Sequence, residues 1–185
     1  MRKPEDIYDE WLVLKCQNGD QKAYSQLIQK WNSKVHSQAY YHMRDSDGAN
    51  DVAQEVWSSV IKSIHRLKDP VKFKSWLYKI VYLKSVDWIR LRKKQRDLMG
   101  NTQELQESLN SEPSDDSQVS LILKALGEMN TAERMIIRLF YLEGQSIKSI
   151  SGILGVPVGT VKSKLFYARE HLKKLLKEKK YEQEQ

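Results

Sequence analysis

Residues 154–172, LGVPVGTVKSKLFYAREHL, decide the fold of the C-terminal part of the chain. The stretch opens as a turn, with Gly155, Pro157 and Gly159, and continues with the periodicity of an amphipathic helix. Apolar residues of this helix recur three or four positions apart and so share one face: Val161, Leu165, Ala168, Leu172 and Leu175. The preceding segment, SIKSISGILG, has an apolar face of its own. The pattern predicts two helices packed across a tight turn, which is a helix-turn-helix.

The opposite side of the second helix is basic and aromatic, with Lys162, Ser163, Phe166, Tyr167, Arg169 and Lys173. In a helix-turn-helix, the second helix has the size to enter a DNA major groove. Lysines near its start are suited to phosphates or guanine acceptors, and the ring of Phe166 is suited to a thymine methyl group. The alternative is a solvated basic helix with one stray aromatic. We favour the DNA-reading interpretation.

The overall composition favours a polyanionic partner. The 185 residues carry a formal net charge of +7, and 40% of them are hydrophobic. The single cysteine, Cys16, excludes a disulfide framework or a cysteine-based zinc site within the chain, and we expect it to be a buried apolar residue. The N-terminus lacks an apolar signal region, and no segment approaches the ~18 apolar residues of a spanning helix. We therefore expect a soluble, cytoplasmic protein.

Charge divides the chain into three parts. Residues 1–96 have a net charge of +8, residues 97–117 have −6 with no basic residue, and residues 118–185 have +5. The middle part is rich in Ser, Asn and Asp and has little helical periodicity. The sequence therefore predicts an all-α protein of two small helical domains, 1–96 and 118–185, joined by a flexible acidic linker, 97–117.

Helical periodicity covers almost everything outside the linker. Runs that alternate apolar and polar residues are absent, so no sheet is expected. Helix-ending and helix-capping signals, such as Asn18-Gly19 and the Asn130–Glu133 spacing, set the boundaries. The predicted helices span 6–17, 20–42, 48–66, 71–95, 118–127, 131–143, 147–154 and 157–179.

Residues 66–96 carry a second nucleic-acid signal. This range holds 11 basic and only two acidic residues, with aromatic residues between them. Basic side chains follow phosphates, and aromatic planes stack on unpaired bases. The alternative is that the aromatic residues form the core, and this pattern alone favours that alternative for Trp88 and Trp76. For residues 68–75 it favours contact with DNA.

A third surface lies on the third predicted helix. Its apolar side includes Val52, Val56 and Val60, and the other side carries Asp51, Gln54, Glu55, Ser58 and Lys62. A polar patch at a helix start is usually solvated and favoured by the helix dipole. In a chain that otherwise offers basic surfaces, it is alternatively a docking face for a basic protein partner.

These three surfaces, in this order, resemble a known family. GDQKAYSQLIQKW (19–31), DVAQEVW (51–57), FKSWLYKIVYLKSVDWIRLRKK (73–94) and the segment 126–176 around GVPVGTVKSKL are similar to bacterial RNA polymerase sigma factors. The similarity is to the small, two-domain, extracytoplasmic-function (ECF) group of the sigma-70 family. Pro70, Gly152 and Tyr167 depart from the residues usual in that family.

The resemblance implies roles for individual residues. The residues that would face the polymerase clamp are Asp51, Gln54 and Glu55. Those that would hold the unpaired strand of the −10 promoter element are Lys68, Lys72, Phe73, Ser75 and Trp76. Those that would contact the −35 element are Lys162, Ser163, Lys164, Phe166, Tyr167 and Arg169.

The resemblance also implies which partners the chain binds, and it implies that the chain does not catalyse a reaction. The partners would be core RNA polymerase and promoter DNA, double-stranded at −35 and single-stranded at −10, with an anti-sigma factor as a further candidate. Catalytic residues, a metal, a cofactor and a small-molecule substrate are not expected. Two alternatives stay open: a stand-alone helix-turn-helix regulator, and an enzyme that acts on nucleic acid. Against the enzyme, the four histidines are scattered and no phosphate-binding glycine loop occurs.

Overall fold

The fold was analysed in a computed structural model, which describes residues 4–98 and 118–183. All regular structure in these two ranges is helical. The chain divides into two compact units, Met1–Leu105 and Gln106–Gln185. The predicted all-α class with two helical units is therefore confirmed. Of the predicted linker, Asp97 and Leu98 end a helix, and the remainder lies outside the described residues.

The described part of the first unit, residues 4–98, contains four helices: α1 (Pro4–Gln17), α2 (Gln21–Met43), α3 (Ser46–Ser63) and α4 (Phe73–Leu98). Between α3 and α4, the chain makes two 3₁₀ turns, Ile64–Arg66 and Pro70–Lys72. The second unit contains α5 (Gln118–Glu128), α6 (Thr131–Ile137), α7 (Ile147–Leu154) and α8 (Val158–Gln183), and a π-helical turn, Arg138–Leu142, extends α6. No helix in the described ranges is both long and apolar enough to cross a membrane.

The capping signals act as the sequence predicts. The Asn130 side chain accepts a hydrogen bond from the Glu133 N–H at 3.0 Å, and Gly19 takes a positive φ of 82° where α1 ends. Several boundaries differ from the prediction by two to six residues, and α3 starts at Ser46 rather than at residue 48. The carboxylate of Asp45 accepts a hydrogen bond from the Gly48 N–H at 2.7 Å, so a segment that looks like a loop in the sequence starts the helix.

Trp31 occupies the centre of the first unit. Its ring meets Phe73 and Tyr78 of α4 edge to face, at centroid distances of 5.8 and 6.1 Å. Its indole N–H donates to the carboxylate of Asp9 on α1 at 3.0 Å. Asp9 is only 3% exposed, and the ammonium group of Lys30 lies 2.7 Å from it. Helices α1, α2 and α4 therefore meet at one tryptophan.

The remaining packing of the first unit follows the predicted apolar stripes. Val52, Val56 and Val60 of α3 are buried, as is Cys16 at the end of α1, which confirms that prediction. Trp88 of α4 lies directly against Gly48, where a Cβ atom would clash with the indole ring. The glycine thus lets the start of α3 approach α4 closely.

The second unit has its own core. Val161, Leu165 and Ala168 of α8 are buried as predicted, whereas Leu172 and Leu175 are half-buried. The buried guanidinium of Arg134 donates to the Gly127 carbonyl at 2.8 Å, which joins α6 to the end of α5. His171 of α8 lies 2.9 Å from the Glu133 carboxylate. These contacts hold α8 against α5 and α6, while α7 packs on its first turns.

Two of the helical glycines, Gly48 and Gly152, predict stability changes of opposite sign. Gly48→Ala should lower the free energy of unfolding by ~1–3 kcal/mol, because the new methyl group overpacks against Trp88. Gly152→Ala should raise it by up to ~1 kcal/mol, because the site in α7 is open and alanine has the higher helix propensity. Urea unfolding monitored by circular dichroism checks both values. Equal effects of the two substitutions would contradict the packing described for Gly48.

Candidate nucleic-acid and protein interfaces

The turn between α7 and α8 is fixed by hydrogen bonds that the sequence favours. Helix α7 ends at Gly155, which has a φ of 68° and donates its N–H to the Ser151 carbonyl at 2.9 Å. The Ser151 hydroxyl donates to the Val156 carbonyl at 2.6 Å. Because a left-handed residue ends α7 and α8 begins at Val158, the angle between the two helices is set by a short, well-bonded turn.

All six residues predicted to read the −35 element are exposed on α8. Phe166 and Tyr167 are 54% and 67% exposed, and their ring centroids lie 5.6 Å apart. Helical geometry places Ser163 opposite the buried stripe and Lys164 and Arg169 at its two borders. The outward side is therefore aromatic and polar at its centre, with basic side chains flanking it.

Two of these residues also have partners within the second unit. The Ser163 hydroxyl donates to the Gly159 and Thr160 carbonyls at 3.3 and 3.1 Å, so its oxygen remains available as an acceptor. The Arg169 guanidinium lies 3.4 Å from the hydroxyl of Tyr141, which is itself exposed at the end of α6. Tyr141 thus extends the aromatic surface beyond α8, which the sequence analysis missed.

The α3–α4 connection, residues 64–72, carries the second basic site. Lys68 and Lys72 are exposed, and Lys72 pairs with Asp69 at 3.2 Å. The other carboxylate oxygen of Asp69 accepts from the Val71 N–H at 3.2 Å, and Pro70 sets the next backbone φ. Asp69 and Pro70 therefore start the 3₁₀ turn that leads into α4. Pro70 is one of the residues that depart from those usual in the family.

The structure corrects the prediction for Phe73. The ring is only 1% exposed and packs edge to face on Trp31, so it forms part of the core and not of an exposed surface. The signal was present in the sequence, because Leu77 and Val81 continue an apolar stripe from Phe73. Trp76 is half-buried beside Phe73, at a centroid distance of 6.2 Å, so part of its ring is accessible.

The remaining predicted residues of this site lie close to the connection. Ser75, in the first turn of α4, donates its hydroxyl to the Lys72 carbonyl at 3.0 Å. Toward the far end of α4, four basic side chains are exposed within five residues: Arg90, Arg92, Lys93 and Lys94. Arg92 also stacks over the Trp88 ring at 4.9 Å. Helix α4 is thus basic along its exposed surface and aromatic at its start.

The polar face of α3 is exposed as predicted. Asp51, Gln54, Glu55 and Ser58 all lie at the surface. Glu55 forms an ion pair with Lys84 of α4 at 3.0 Å, a contact between helices that periodicity alone does not show. The face therefore combines two carboxylates and an amide, and one of the carboxylates already has a cationic neighbour.

Comparison with known proteins matches these surfaces in the same order. Sigma-70 region 2 matches residues 27–96, and sigma-70 region 4 matches residues 120–172. The ECF RNA polymerase sigma factor SigW of Bacillus subtilis is 28% identical over 180 residues, covering 90% of this chain and 95% of its own. The ECF RNA polymerase sigma-E factor of Escherichia coli K12 is 28% identical over 179 residues, covering 90% and 93%.

This chain belongs to the ECF group of the sigma-70 family. The fold agrees with that assignment. The sigma factor RpoE of Bartonella quintana, solved in complex with the anti-sigma factor NepR, superposes with a TM-score of 0.72 at 21% identity. The superposition covers 84% of this chain and 98% of RpoE.

The family assignment decides between the functions left open by the sequence. This sigma factor binds core RNA polymerase and directs promoter recognition, DNA melting and transcription initiation, and it is not a stand-alone regulator.

Helix α1 and the first turns of α2 precede the region 2 match, although α1 supplies the buried Asp9.

Two observations bear on the enzyme alternative. Within residues 4–98 and 118–183, no three His, Cys, Asp or Glu side chains are grouped so that they could hold a metal ion. Burial, with a smaller contribution from the nearby Asp20 carboxylate, raises the pKa of the Cys16 thiol to about 11. The thiol is therefore protonated at neutral pH and is a poor nucleophile.

One buried and one exposed phenylalanine test the assignment of Phe73 to the core. Phe73→Ala should lower the free energy of unfolding by ~3–5 kcal/mol, because it empties the space against Trp31. Phe166→Ala should change it by less than ~0.5 kcal/mol, because the ring is largely solvated. Denaturant unfolding of the two variants checks this. A small effect of Phe73→Ala on the free energy of unfolding would contradict the assignment of Phe73 to the core.

Proposed function

We propose that this sigma factor distributes promoter opening over three surfaces. The face of α3 docks on core polymerase, the α3–α4 connection with Trp76 binds the unpaired −10 strand, and the outward side of α8 reads the −35 duplex. The observation that carries the proposal is the outward side of α8. It presents two aromatic rings and flanking cations, while Val161, Leu165 and Ala168 on the other side of the helix are buried.

The −35 assignment rests on the chemistry of the exposed side chains. Lysine and arginine donate to phosphates and to guanine O6 and N7, whereas an aromatic ring contacts the thymine methyl group. Lys162 and Phe166 are one helical turn apart on the outward side, and Lys164 and Arg169 border it. We therefore assign base reading to Lys162, Ser163, Phe166 and Tyr167, and phosphate contact to Lys164 and Arg169.

The −10 assignment rests on a balance between the free-energy cost of unstacking a base and the free energy regained when that base stacks on the protein. Unstacking a base costs a few kcal/mol, and stacking on an aromatic ring returns ~1–3 kcal/mol. The accessible part of Trp76 supplies such a surface, and Lys68 and Lys72 supply positive charge beside it. Ser75 supports this site by its bond to the Lys72 carbonyl. Phe73 supports it only from the core.

The chain itself is proposed to have no catalytic activity and to act in the cytoplasm, where polymerase and promoter DNA are present. We also propose an anti-sigma factor as a partner, by analogy with the complex of the Bartonella quintana relative. Co-purification from the host, with the partner identified by mass spectrometry, tests this last point.

Run-off transcription tests the proposed function as a whole. Core polymerase is incubated with and without the full chain on fragmented host DNA, and transcripts are sequenced. Transcripts that start at defined sites only when the chain is present are expected. Absence of such transcripts, with a folded chain that nonetheless binds DNA by itself, would overturn the proposal.

A charge swap separates docking from intramolecular pairing at Glu55. Glu55→Lys should abolish binding to core polymerase, but it also places two cations at the Lys84 contact. The double variant Glu55→Lys with Lys84→Glu restores an ion pair of opposite polarity. If Glu55 itself contacts polymerase, both variants should fail in a competition binding assay. Recovery of binding by the double variant would show that only the pairing within the first unit matters.

The recognition helix predicts a difference between base and phosphate contacts. Phe166→Ala should relax sequence preference at one −35 position, by ~1–3 kcal/mol, with an unchanged salt dependence. Lys173→Ala, farther along α8 and also exposed, should at most weaken binding to all sequences alike. Holoenzyme binding to a library of −35 variants at several salt concentrations measures both. An unchanged preference profile for the folded Phe166→Ala variant would mean that this side of α8 does not face the groove.

A further inference from the structure

The α3–α4 connection is held from outside by α1. The side-chain amide of Gln17, the last residue of α1, donates to two backbone carbonyls of the connection. The distances are 3.0 Å to the Ile64 carbonyl and 2.8 Å to the Leu67 carbonyl. A glutamine amide has two N–H donors, so these two bonds use its full donor capacity.

The other end of the connection is held by α1 as well. Lys74, which follows the connection in the first turn of α4, forms an ion pair with Asp6 and lies 4.0 Å from the Asp9 carboxylate. At this second attachment, residues of α1 and residues 70–74 line an open pocket of about 190 Å³. The connection is therefore attached to α1 near both of its ends.

The second half of the connection is held by bonds around Asp69. The Asp69 carboxylate caps Val71, and the Asp69 carbonyl accepts from the Lys72 N–H at 3.0 Å. In the first half, the Leu67 N–H donates to the Ile64 carbonyl at 3.1 Å and closes the 3₁₀ turn Ile64–Arg66. Gln17 adds two bonds from α1 to this first half, and the second of them holds the carbonyl of Leu67, directly before Lys68.

We propose that Gln17 is a positioning residue for −10 recognition. It places the first half of the α3–α4 connection, and so the Lys68 side chain, before DNA binds. A site whose backbone is already ordered loses less conformational entropy on binding, and its contacts discriminate more sharply among bases. The inference rests on the proposed −10 role of the connection. It adds a residue from α1, which lies outside the region 2 match at residues 27–96.

The test uses an isosteric substitution with a matched control. Gln17→Glu replaces the donating amide by a carboxylate that faces two carbonyl oxygens, with almost no change in shape. Gln29→Glu introduces the same charge change at an exposed position of α2. Gln17→Ala removes both bonds without repulsion and serves if Gln17→Glu folds poorly. Each full-length variant is assembled with core polymerase and assayed on duplex promoters that vary at −10.

A positioning role predicts a selective loss. For the Gln17 variants, discrimination among −10 bases should fall about fivefold or more, the factor for a hydrogen bond of ~1 kcal/mol. Polymerase affinity and the −35 preference should not change, and Gln29→Glu should behave as the wild type in every assay. A −10 profile identical to that of the wild type would overturn the proposal. A uniform loss on all templates, parallel to a lower melting temperature, would also overturn it, because it would show a structural role only.

The wild-type holoenzyme separates this inference from the function on which it rests. If the wild type shows no preference at −10, the proposed role of the connection fails, and the role of Gln17 fails with it. If the wild type discriminates and the Gln17 variants discriminate equally well, only the positioning role is wrong.

Discussion

The first unit depends on the hydrogen bond from the Trp31 indole to the buried carboxylate of Asp9. A carboxylate removed from water costs several kcal/mol unless it is paired and hydrogen-bonded. Lys30 and the indole N–H compensate that cost at one oxygen, and Lys74 lies near the other. The bond fixes α1 against α2 and α4, and α1 then reaches the α3–α4 connection through Gln17. Core packing and the geometry of the proposed −10 site are therefore linked.

In the second unit, a constraint on the backbone fixes the helices relative to one another. Gly155 in the left-handed conformation ends α7, and the Ser151 hydroxyl closes the turn that follows. The buried stripe of Val161, Leu165 and Ala168 then sets the rotation of α8 about its axis. Once that rotation is set, the outward side must carry Ser163, Phe166 and Tyr167. Exposed aromatic rings are costly for a protein that works alone but useful for one that meets thymine methyl groups.

Sequence periodicity was sufficient to predict the eight helices, the buried stripe of α8 and the exposure of its six predicted contact residues. It was insufficient where a contact joins distant parts of the chain. The bonds from Gln17 to Ile64 and Leu67, and the ion pair between Glu55 and Lys84, follow from tertiary packing, which no local pattern records. Phe73 was assigned to the −10 surface from the basic and aromatic pattern of residues 68–75 and from the family resemblance, and its place in an apolar stripe with Leu77 and Val81 was not considered. The structure places it in the core.

The central claim, that each unit contacts one promoter element, is tested most directly by site-specific photo-crosslinking. A photoreactive residue is placed at Lys72 or at Lys162, both exposed, in the full chain assembled with core polymerase on promoter DNA. The account predicts that position 72 crosslinks to the unpaired strand at −10 and that position 162 crosslinks to the −35 duplex. Crosslinks from position 72 to duplex DNA at −35, or none to DNA from position 162, would contradict it.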